Sequence, residues 1–174
     1  VSCFRHFKPP AELISASGLG VIAGLLKPYV VAIPVVDHAS WPDWTSFACA
    51  LIRTGVLKEV GTLDPGFFLY FDDPDYCRRA RNAGYEVLNI PQARVVHLRG
   101  RSNPAKELTS QRKRRPWYHF ASRTRFYYKH HGPLGLLSAN PLWTLGHSIP
   151  RNRTLPGERR TGASQPQAPR VWAP

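Results

Sequence analysis

The feature that most constrains this chain is an aromatic run followed at once by three carboxylates. Residues 67–71 read Phe-Phe-Leu-Tyr-Phe, and Asp72, Asp73 and Asp75 follow within four positions. A short aromatic run after a Pro-Gly turn is typical of a buried strand. Pro74 favours the first position of a helix, with Asp73 as its N-cap. The sequence therefore predicts that the acids lie between a strand end and a helix start, where open α/β sheets bind ligands.

Two interpretations of these acids remain open from spacing alone. Carboxylates at a helix N-terminus stabilise it, and one of them can serve as the cap. A cap needs only one acid, however, and three crowded carboxylates repel one another unless a metal, a cation or a proton-transfer role offsets the repulsion. One of Asp72, Asp73 and Asp75 is then a candidate general base that takes a proton from a hydroxyl nucleophile.

The rest of the first hundred residues alternates between strand and helix patterns. Helices are predicted over residues 55–60 and from Pro74 to Gly84. Strands are predicted over residues 44–53, 67–71, 85–90 and 94–98. This alternation indicates an α/β or α+β domain.

An apolar run from Leu13 to Leu26 precedes this pattern. Its 14 residues are fewer than the roughly 20 that a membrane span needs. It is predicted to be either a core or surface helix or a helix lying in a membrane interface. The pair Pro9 and Pro10 is expected to prevent a helix before it.

The charge is unevenly distributed along the chain. Residues 1–93 carry 8 Lys/Arg and 9 Asp/Glu, whereas residues 94–174 carry 16 Lys/Arg and 2 Asp/Glu. A basic second part indicates an anionic neighbour, either membrane phospholipid, nucleic acid or a phosphorylated substrate. The aromatic and basic segment 117–131 is predicted to be helical, and the tail from Pro150 to be disordered.

The cysteines and one histidine bear on metal binding. Cys3, Cys49 and Cys77 form no C-x-x-C pair, which argues against a zinc site or a disulfide scaffold and fits a reducing compartment. His97 lies in the apolar segment 94–98. It is either a core histidine satisfied by a hydrogen bond or a metal ligand with carboxylate partners close in space.

Several motifs in order resemble the family 2 glycosyltransferases, in particular the rhamnosyltransferase-like branch that builds bacterial cell-surface polysaccharides. The matching residues are Asp43-Trp44 and the segment to Arg53, Leu57 to Asp64, Phe67 to Asp75, Ala83 to Val87, and Pro91 to His97. The family pattern there is D-W-x-x-G-A, L-x-x-V-G-x-F-D, F-F-x-Y-x-E-D-x-D, A-G-Y and P-x-A-x-V-x-H. The resemblance is strong over residues 40–103 and loose over 104–132.

The resemblance implies a GT-A fold, which is a mostly parallel sheet with helices on both faces. It implies transfer of a sugar from a nucleotide-diphosphate donor to an acceptor hydroxyl, with inversion, in cell-wall or surface polysaccharide synthesis. Asp73 matches the catalytic base of the E-D-x-D motif, Asp72 takes the place of its Glu, and Asp75 matches its last acid.

The resemblance also implies a cofactor and substrate contacts. His97 matches a position that ligates a divalent metal, Mg²⁺ or Mn²⁺, which would neutralise the diphosphate leaving group. Trp44 matches a residue near the acceptor and donor pocket, with Asp43 and Ser46 as further substrate-binding candidates.

This chain departs from the family pattern in two places. Phe47 stands where the family usually has Gly, so its ring is expected to fill part of a pocket. No D-x-D motif precedes residue 40, since Asp37 is the only Asp before Asp43. The chain is therefore expected to correspond to the acceptor-side half of a GT-A transferase, to bind donor weakly and to be inactive alone.

These interpretations give three predicted regions. Residues 1–103 form the C-terminal, acceptor-side half of the domain, residues 104–149 a basic aromatic helical extension, and residues 150–174 a disordered tail. The extension is predicted to contact an anionic membrane surface, where lipid-linked acceptors reside, which places the protein in the cytoplasm or at the cytoplasmic face of the inner membrane. The glycosyltransferase hypothesis involves no nucleic acid. The alternative functions are a nucleic-acid-binding module, based on the basic aromatic segment, and an inactive remnant.

Overall fold

The structure, a computed structural model, describes residues 3–34, 36–96 and 115–149. The elements are β1 (Cys3–Phe4), α1 (Pro10–Ser17), α2 (Gly20–Leu25), a 3-10 turn (Lys27–Tyr29), β2 (Trp44–Thr45), α3 (Thr54–Val60), α4 (Asp72–Asn82) and α5 (Trp117–Ser148). Within these three segments, no helix combines the length and the apolar character that crossing a bilayer requires.

The sheet in the described residues consists of two short antiparallel strands. Cys3 pairs with Thr45 and Phe4 with Trp44. Two isolated antiparallel bridges lie outside these strands, one between Phe4 and Ala32 and one between Ser40 and Asn89. The mostly parallel sheet expected from the resemblance is not seen in the part of the chain that the structure describes.

The predicted strand over residues 67–71 is wrong, because this segment is a loop. Leu69 and Phe71 have φ angles of 59° and 65°. Backbone in the left-handed region cannot continue a β-ladder, because strands require φ near −120° to −140°. The aromatic side chains instead pack against α5, where Phe68 and Tyr70 contact Tyr118 at ring centroid distances of 5.3 and 6.0 Å.

The other predicted strands are shorter than expected or absent. The strand over residues 44–53 is limited to Trp44–Thr45, because the chain turns at Ser46, whose Oγ accepts a hydrogen bond from the Ala48 N–H at 3.4 Å. Residues 85–90 contribute a single bridge, at Asn89. Residues 94–96 are not in a strand, and the remainder of that predicted strand lies outside the described residues.

The helices are closer to the expectations. The predicted helix over residues 55–60 is confirmed as α3, and α4 ends at Asn82, two residues before Gly84, which has a φ of 88°. The N-cap prediction is wrong: α4 begins at Asp72 and its N-cap is Phe71, with no side-chain cap. The left-handed backbone of Phe71 turns the chain into the helix one residue earlier than a cap at Asp73 would.

The apolar run from Leu13 to Leu26 forms parts of two helices. α1 begins at Pro10, contrary to the expectation that the proline pair prevents a helix, because the first turn of a helix needs no N–H donor. Gly18, with a φ of 64°, ends α1 and separates it from α2. α1 has four buried residues and α2 has none, so the first half of the run is a core helix.

The predicted helix over residues 117–131 is confirmed as part of α5, which also includes the weakly patterned residues that follow. The chain bends at Gly132, which has a φ of 66° and a ψ of −172°. The second half of α5 passes close to α1, since a Cβ at Gly146 would lie 2.6 Å from that of Ala16. A buried ion pair, Arg123 Nε to Glu12 Oε2 at 3.0 Å, joins the first half to α1.

Two small cores hold these elements together. Val56, Tyr76 and Ala80 pack α3 on α4, and the Phe47 ring contacts Tyr76 edge-on at 5.9 Å. The ring at the glycine position of the family pattern therefore fills the core beside α4. A second, aromatic core forms around the fully buried Phe126 of α5.

Candidate active site

The first turn of α4 places the three predicted catalytic carboxylates on different sides of one helix. Asp72, Asp73 and Asp75 all lie in that turn. Successive residues of an α-helix are rotated by about 100°, so Asp73 and Asp75 project in nearly opposite directions. The two carboxylates therefore have different surroundings and different chemical properties.

Asp73 faces the segment that follows β2. Its carboxylate accepts a hydrogen bond from the backbone N–H of Phe47. Burial, followed by the neighbouring charge of Asp72, raises the pKa of Asp73 to about 7. A carboxylate with a pKa near the working pH is suited to general-base catalysis, because it exists in the deprotonated form and still binds a proton well.

Cys77 lies one turn further along the same side of α4. Burial raises the pKa of its thiol to about 11, and the charge of Asp73 contributes to this increase. The thiol is therefore protonated near neutral pH and is not a nucleophile there. Of the two groups, Asp73 is the one that exchanges a proton.

Asp75 is fully buried and bound by two cationic side chains and a histidine. Its Oδ2 accepts from Arg79 Nε at 3.0 Å, while its Oδ1 lies 2.8 Å from Lys129 Nζ and 2.7 Å from His130 Nε2. Burial alone would raise the pKa of Asp75, but these hydrogen bonds outweigh burial and hold the pKa below its usual value. Both oxygens are occupied, so the geometry does not favour Asp75 as a base.

Asp64, the last residue of the segment that matches L-x-x-V-G-x-F-D, is a second acid in this network, and the sequence analysis assigned it no role in the site. Its Oδ2 lies 2.8 Å from Lys129 Nζ and its Oδ1 2.9 Å from a guanidinium nitrogen of Arg125. The hydrogen bond from Lys129 is the main cause that holds the pKa of Asp64 well below its usual range. Arg125 lies against Gly66, where a Cβ would overlap the guanidinium.

Because the Lys129 ammonium contacts both Asp64 and Asp75, it bridges the turn at Asp64 and the first turn of α4.

Trp44 is buried in an aromatic stack, with 7% of its surface exposed. Its ring stacks on Phe4 and Phe7 at 4.1 and 5.6 Å, and its indole N–H donates to the carbonyl of Arg5 at 2.9 Å. These contacts give Trp44 a packing role that the family pattern alone did not indicate. Its role as a substrate contact remains a prediction.

Asp43 contacts two residues that line a cavity of about 460 Å³ at the C-terminal end of α4. The cavity is lined by His6, Arg78, Arg81, Asn82, Gly84, Tyr85 and Glu86. Asp43 Oδ2 accepts from the His6 N–H at 2.9 Å, and its Oδ1 lies 3.8 Å from Arg81. Ser46, by contrast, lies in the segment that Asp73 faces. The structure thus brings Ser46 near the start of α4 and places Asp43 near its end.

His97 lies outside the described residues, so its role as a metal ligand stays a prediction. Among the residues that the structure describes, no three His, Cys, Asp or Glu side chains lie close enough to hold a metal ion. Asp75, moreover, has both oxygens bound to cationic groups. The described acids alone therefore do not fit the divalent ion that the resemblance implies.

Comparisons with known proteins agree with the motif pattern. The chain is 33% identical over 73 residues to an N-acetylglucosaminyl-diphospho-decaprenol L-rhamnosyltransferase of Mycobacterium tuberculosis, which covers 40% of this chain and 24% of that protein. It is 35% identical over 66 residues to the low-salt glycan biosynthesis hexosyltransferase Agl10 of Haloferax volcanii, which covers 37% of this chain and 20% of the relative. The matched segments thus span about a quarter of these relatives. No solved structure matches the chain significantly.

The family model described as "Glycosyltransferase like family 2" matches residues 31–119, just over half of the chain. The match includes β2, α3 and α4, and with them Asp72, Asp73 and Asp75. The chain therefore belongs to the glycosyltransferase-like family 2, whose fold is that of nucleotide-sugar transferases.

Proposed function

We propose that this chain supplies the general base and the acceptor side of a site that transfers a sugar from a nucleotide-diphosphate sugar to an acceptor hydroxyl. The observation that carries the proposal is the placement of Asp73 in the first turn of α4, with a pKa of about 7. Family membership supports the reaction class. The similarity to a rhamnosyltransferase named for a decaprenol-linked substrate and to a hexosyltransferase of glycan biosynthesis supports a glycan or lipid-linked acceptor.

The proposed step needs a base because a sugar hydroxyl is a weak nucleophile at neutral pH. Asp73 accepts the hydroxyl proton while the oxygen forms a bond to the anomeric carbon. The bond between that carbon and the diphosphate oxygen breaks on the opposite face, so the configuration inverts and the nucleoside diphosphate leaves. Asp72 assists by keeping the pKa of Asp73 high, and Ser46 and Trp44 are the substrate-side candidates next to this turn.

We propose a structural role for Asp75, although the motif match made it a candidate catalytic acid. Its carboxylate contacts Arg79, Lys129 and His130 and is 0% exposed. An acid in these surroundings holds helices together and does not accept a substrate proton. We therefore assign the base function to Asp73 alone.

The proposed partner besides the substrates is an anionic membrane surface, which would place the protein at the cytoplasmic face of the inner membrane. Trp117 and Tyr128 of α5 are 78% and 61% exposed, and Leu134 and Leu137 are 78% and 66% exposed. Exposed aromatic and aliphatic side chains favour binding at a bilayer interface, and the basic residues 112–115 that precede α5 in the sequence supply charge that attracts anionic lipid. Co-sedimentation with vesicles of anionic and of neutral lipid tests this contact.

A graft experiment tests the base. Residues 31–119 replace the corresponding segment of the mycobacterial relative, and sugar transfer to its lipid-linked acceptor is measured. We expect the graft to be active and Asp73→Asn to lower kcat by about 100-fold or more, which is typical of losing a general base. Asp37→Asn, at a fully exposed acid, is the matched control and should leave kcat unchanged. Transfer that survives Asp73→Asn undiminished contradicts the proposal.

A further inference from the structure

Two attachments from α5 hold the first turn of α4. The Phe71 ring, at the N-cap, packs on Phe126 at 5.4 Å and on His119 at 5.8 Å. Four residues later, Asp75 is bound by Lys129 and His130. Both attachments lie on the side of α4 that faces α5, while Asp73 faces the segment after β2.

This arrangement fixes the rotation of α4 about its own axis. Residues two positions apart on an α-helix are rotated by about 200°, so a constraint on Asp75 determines where Asp73 projects. A rotation of α4 that lengthens the Asp75 contacts would move the Asp73 carboxylate relative to the backbone N–H of Phe47. The burial of Asp73 therefore depends on contacts made on the opposite side of the helix.

Lys129 joins three parts of the chain in this network. Its ammonium lies 2.8 Å from a carboxylate oxygen of Asp75 and 2.8 Å from one of Asp64. Arg79 belongs to α4 itself; its guanidinium pairs with Asp75 and donates to the carbonyl of Val60, at the end of α3, at 2.8 Å. Lys129 thus ties α4 to α5 and to the turn at Asp64 at once.

We infer that Lys129 is a positioning residue: acting through Asp75, it sets the rotation of α4 and so holds the Asp73 carboxylate in its buried place beside Phe47. This inference rests on the proposed function of Asp73 as a base. Lys129 does not contact the reacting atoms, and its effect on transfer passes through the helix. Asp64 contributes by binding the same ammonium at 2.8 Å.

The direction in which the pKa of Asp73 changes when Lys129 loses its charge separates a positioning role from a purely electrostatic one. Removing the positive charge of Lys129 would by itself raise the pKa of Asp73, because a nearby cation favours the carboxylate form. Losing the helix constraint would lower that pKa, because the carboxylate would gain access to water. The two effects therefore have opposite directions.

The experiment is an NMR titration of the Asp73 side-chain carboxyl in the full chain. We expect a pKa near 7 in the unmodified chain, a decrease of about one unit or more in Lys129→Met, and recovery in Lys129→Arg. Lys58→Met, at an exposed lysine of α3, is the control and should leave the pKa unchanged. Asp64→Asn should also lower the pKa, but here the loss of a negative charge acts in the same direction as the loss of the helix constraint, so Lys129→Met is the variant that decides.

The outcomes distinguish this inference from the proposed function. A pKa near 7 that stays the same or rises in Lys129→Met overturns the positioning role and leaves the base assignment standing. A pKa near 4 in the unmodified chain overturns the base assignment, and the positioning role with it. A decrease in Lys129→Met with recovery in Lys129→Arg supports the positioning role.

Discussion

Asp73 and Asp75 lie two residues apart, yet replacing each with Asn should change stability in opposite directions. Burial and the charge of Asp72 raise the pKa of Asp73 to about 7, whereas its value in an unfolded chain is about 3.8. Between these two pH values the folded protein binds a proton that the unfolded chain does not bind. The free energy of unfolding therefore falls as the pH rises from about 4 to about 7, and the loss is complete above pH 7.

The size of this effect follows from the pKa difference. A difference of about three units, at about 1.4 kcal/mol for each unit, sets an upper limit of roughly 4 kcal/mol. Asp73 is only partly shielded from water, so screening lowers the expected value to about 2–4 kcal/mol. Asn resembles the protonated acid and has no titration of its own. Asp73→Asn should therefore be about as stable as the unmodified chain near pH 4.5 and about 2–4 kcal/mol more stable at pH 8.

Asp75→Asn should lower the free energy of unfolding at pH 8, whereas Asp73→Asn should raise it. The pKa of Asp75 is lowered, so its carboxylate stabilises the fold above about pH 4, and this contribution is lost only as the pH falls through the folded-state pKa. The Asn side chain leaves the cationic partners of Asp75 without a charge to pair with. Breaking such a buried pair typically costs about 3–5 kcal/mol, so the variant should be clearly less stable at pH 8.

Urea unfolding followed by tryptophan fluorescence measures both variants at intervals between pH 4.5 and pH 8. The difference between each variant and the unmodified chain is the relevant quantity, because other groups titrate in the same range. For example, burial lowers the pKa of His6 and of His119 to about 4. If the stability difference for Asp73→Asn does not change with pH, or if the variant is less stable at pH 8, the pKa argument and the base assignment are refuted.

Three further changes test the packing around this site by the same urea assay. Gly146→Ala should lower the free energy of unfolding by about 1–3 kcal/mol, because the added Cβ meets the backbone and side chain of α1; Gly24→Ala, with no atom within 4 Å, is the control and should not be destabilising. Glu12→Gln should cost about 3 kcal/mol by leaving Arg123 buried without its counter-charge, and an unchanged midpoint would count against that ion pair. Trp44→Phe should cost about 1 kcal/mol through the lost indole hydrogen bond to Arg5, and no loss of stability would argue for a substrate role over a packing role.

The order of motifs along the chain was enough to recognise the family and to place Asp73 at the start of a helix. Local signals also predicted α3 and the first half of α5, because helix periodicity and glycine stops depend on neighbouring residues. These local signals place a carboxylate at a helix N-terminus, and this placement does not depend on how the strands pair. That is why the helix start that carries Asp73 could be predicted although the strands around it could not.

The strand predictions failed where tertiary contacts decided the backbone. Residues 67–71 have the composition of a buried strand, but Leu69 and Phe71 adopt left-handed backbone and their aromatic neighbours pack on α5. No local pattern shows that the partner for these rings lies about 50 residues later in the chain. A strand needs a neighbouring strand to form, and hydrophobic composition alone does not provide one.

The different surroundings of Asp73 and Asp75 show most clearly what the sequence determined and what the tertiary structure determined. The sequence by itself determined that Asp73 and Asp75 lie two residues apart where a helix begins, and the structure, in which α4 begins at Asp72, puts them on nearly opposite sides of that helix. Only the tertiary structure decided which side is neutralised, because Lys129 and His130 reach Asp75 from more than 50 residues away. The physical reason is that burial raises the pKa of a carboxylate unless a cation accompanies it, and the fold supplies cations to Asp75 and a neighbouring carboxylate to Asp73.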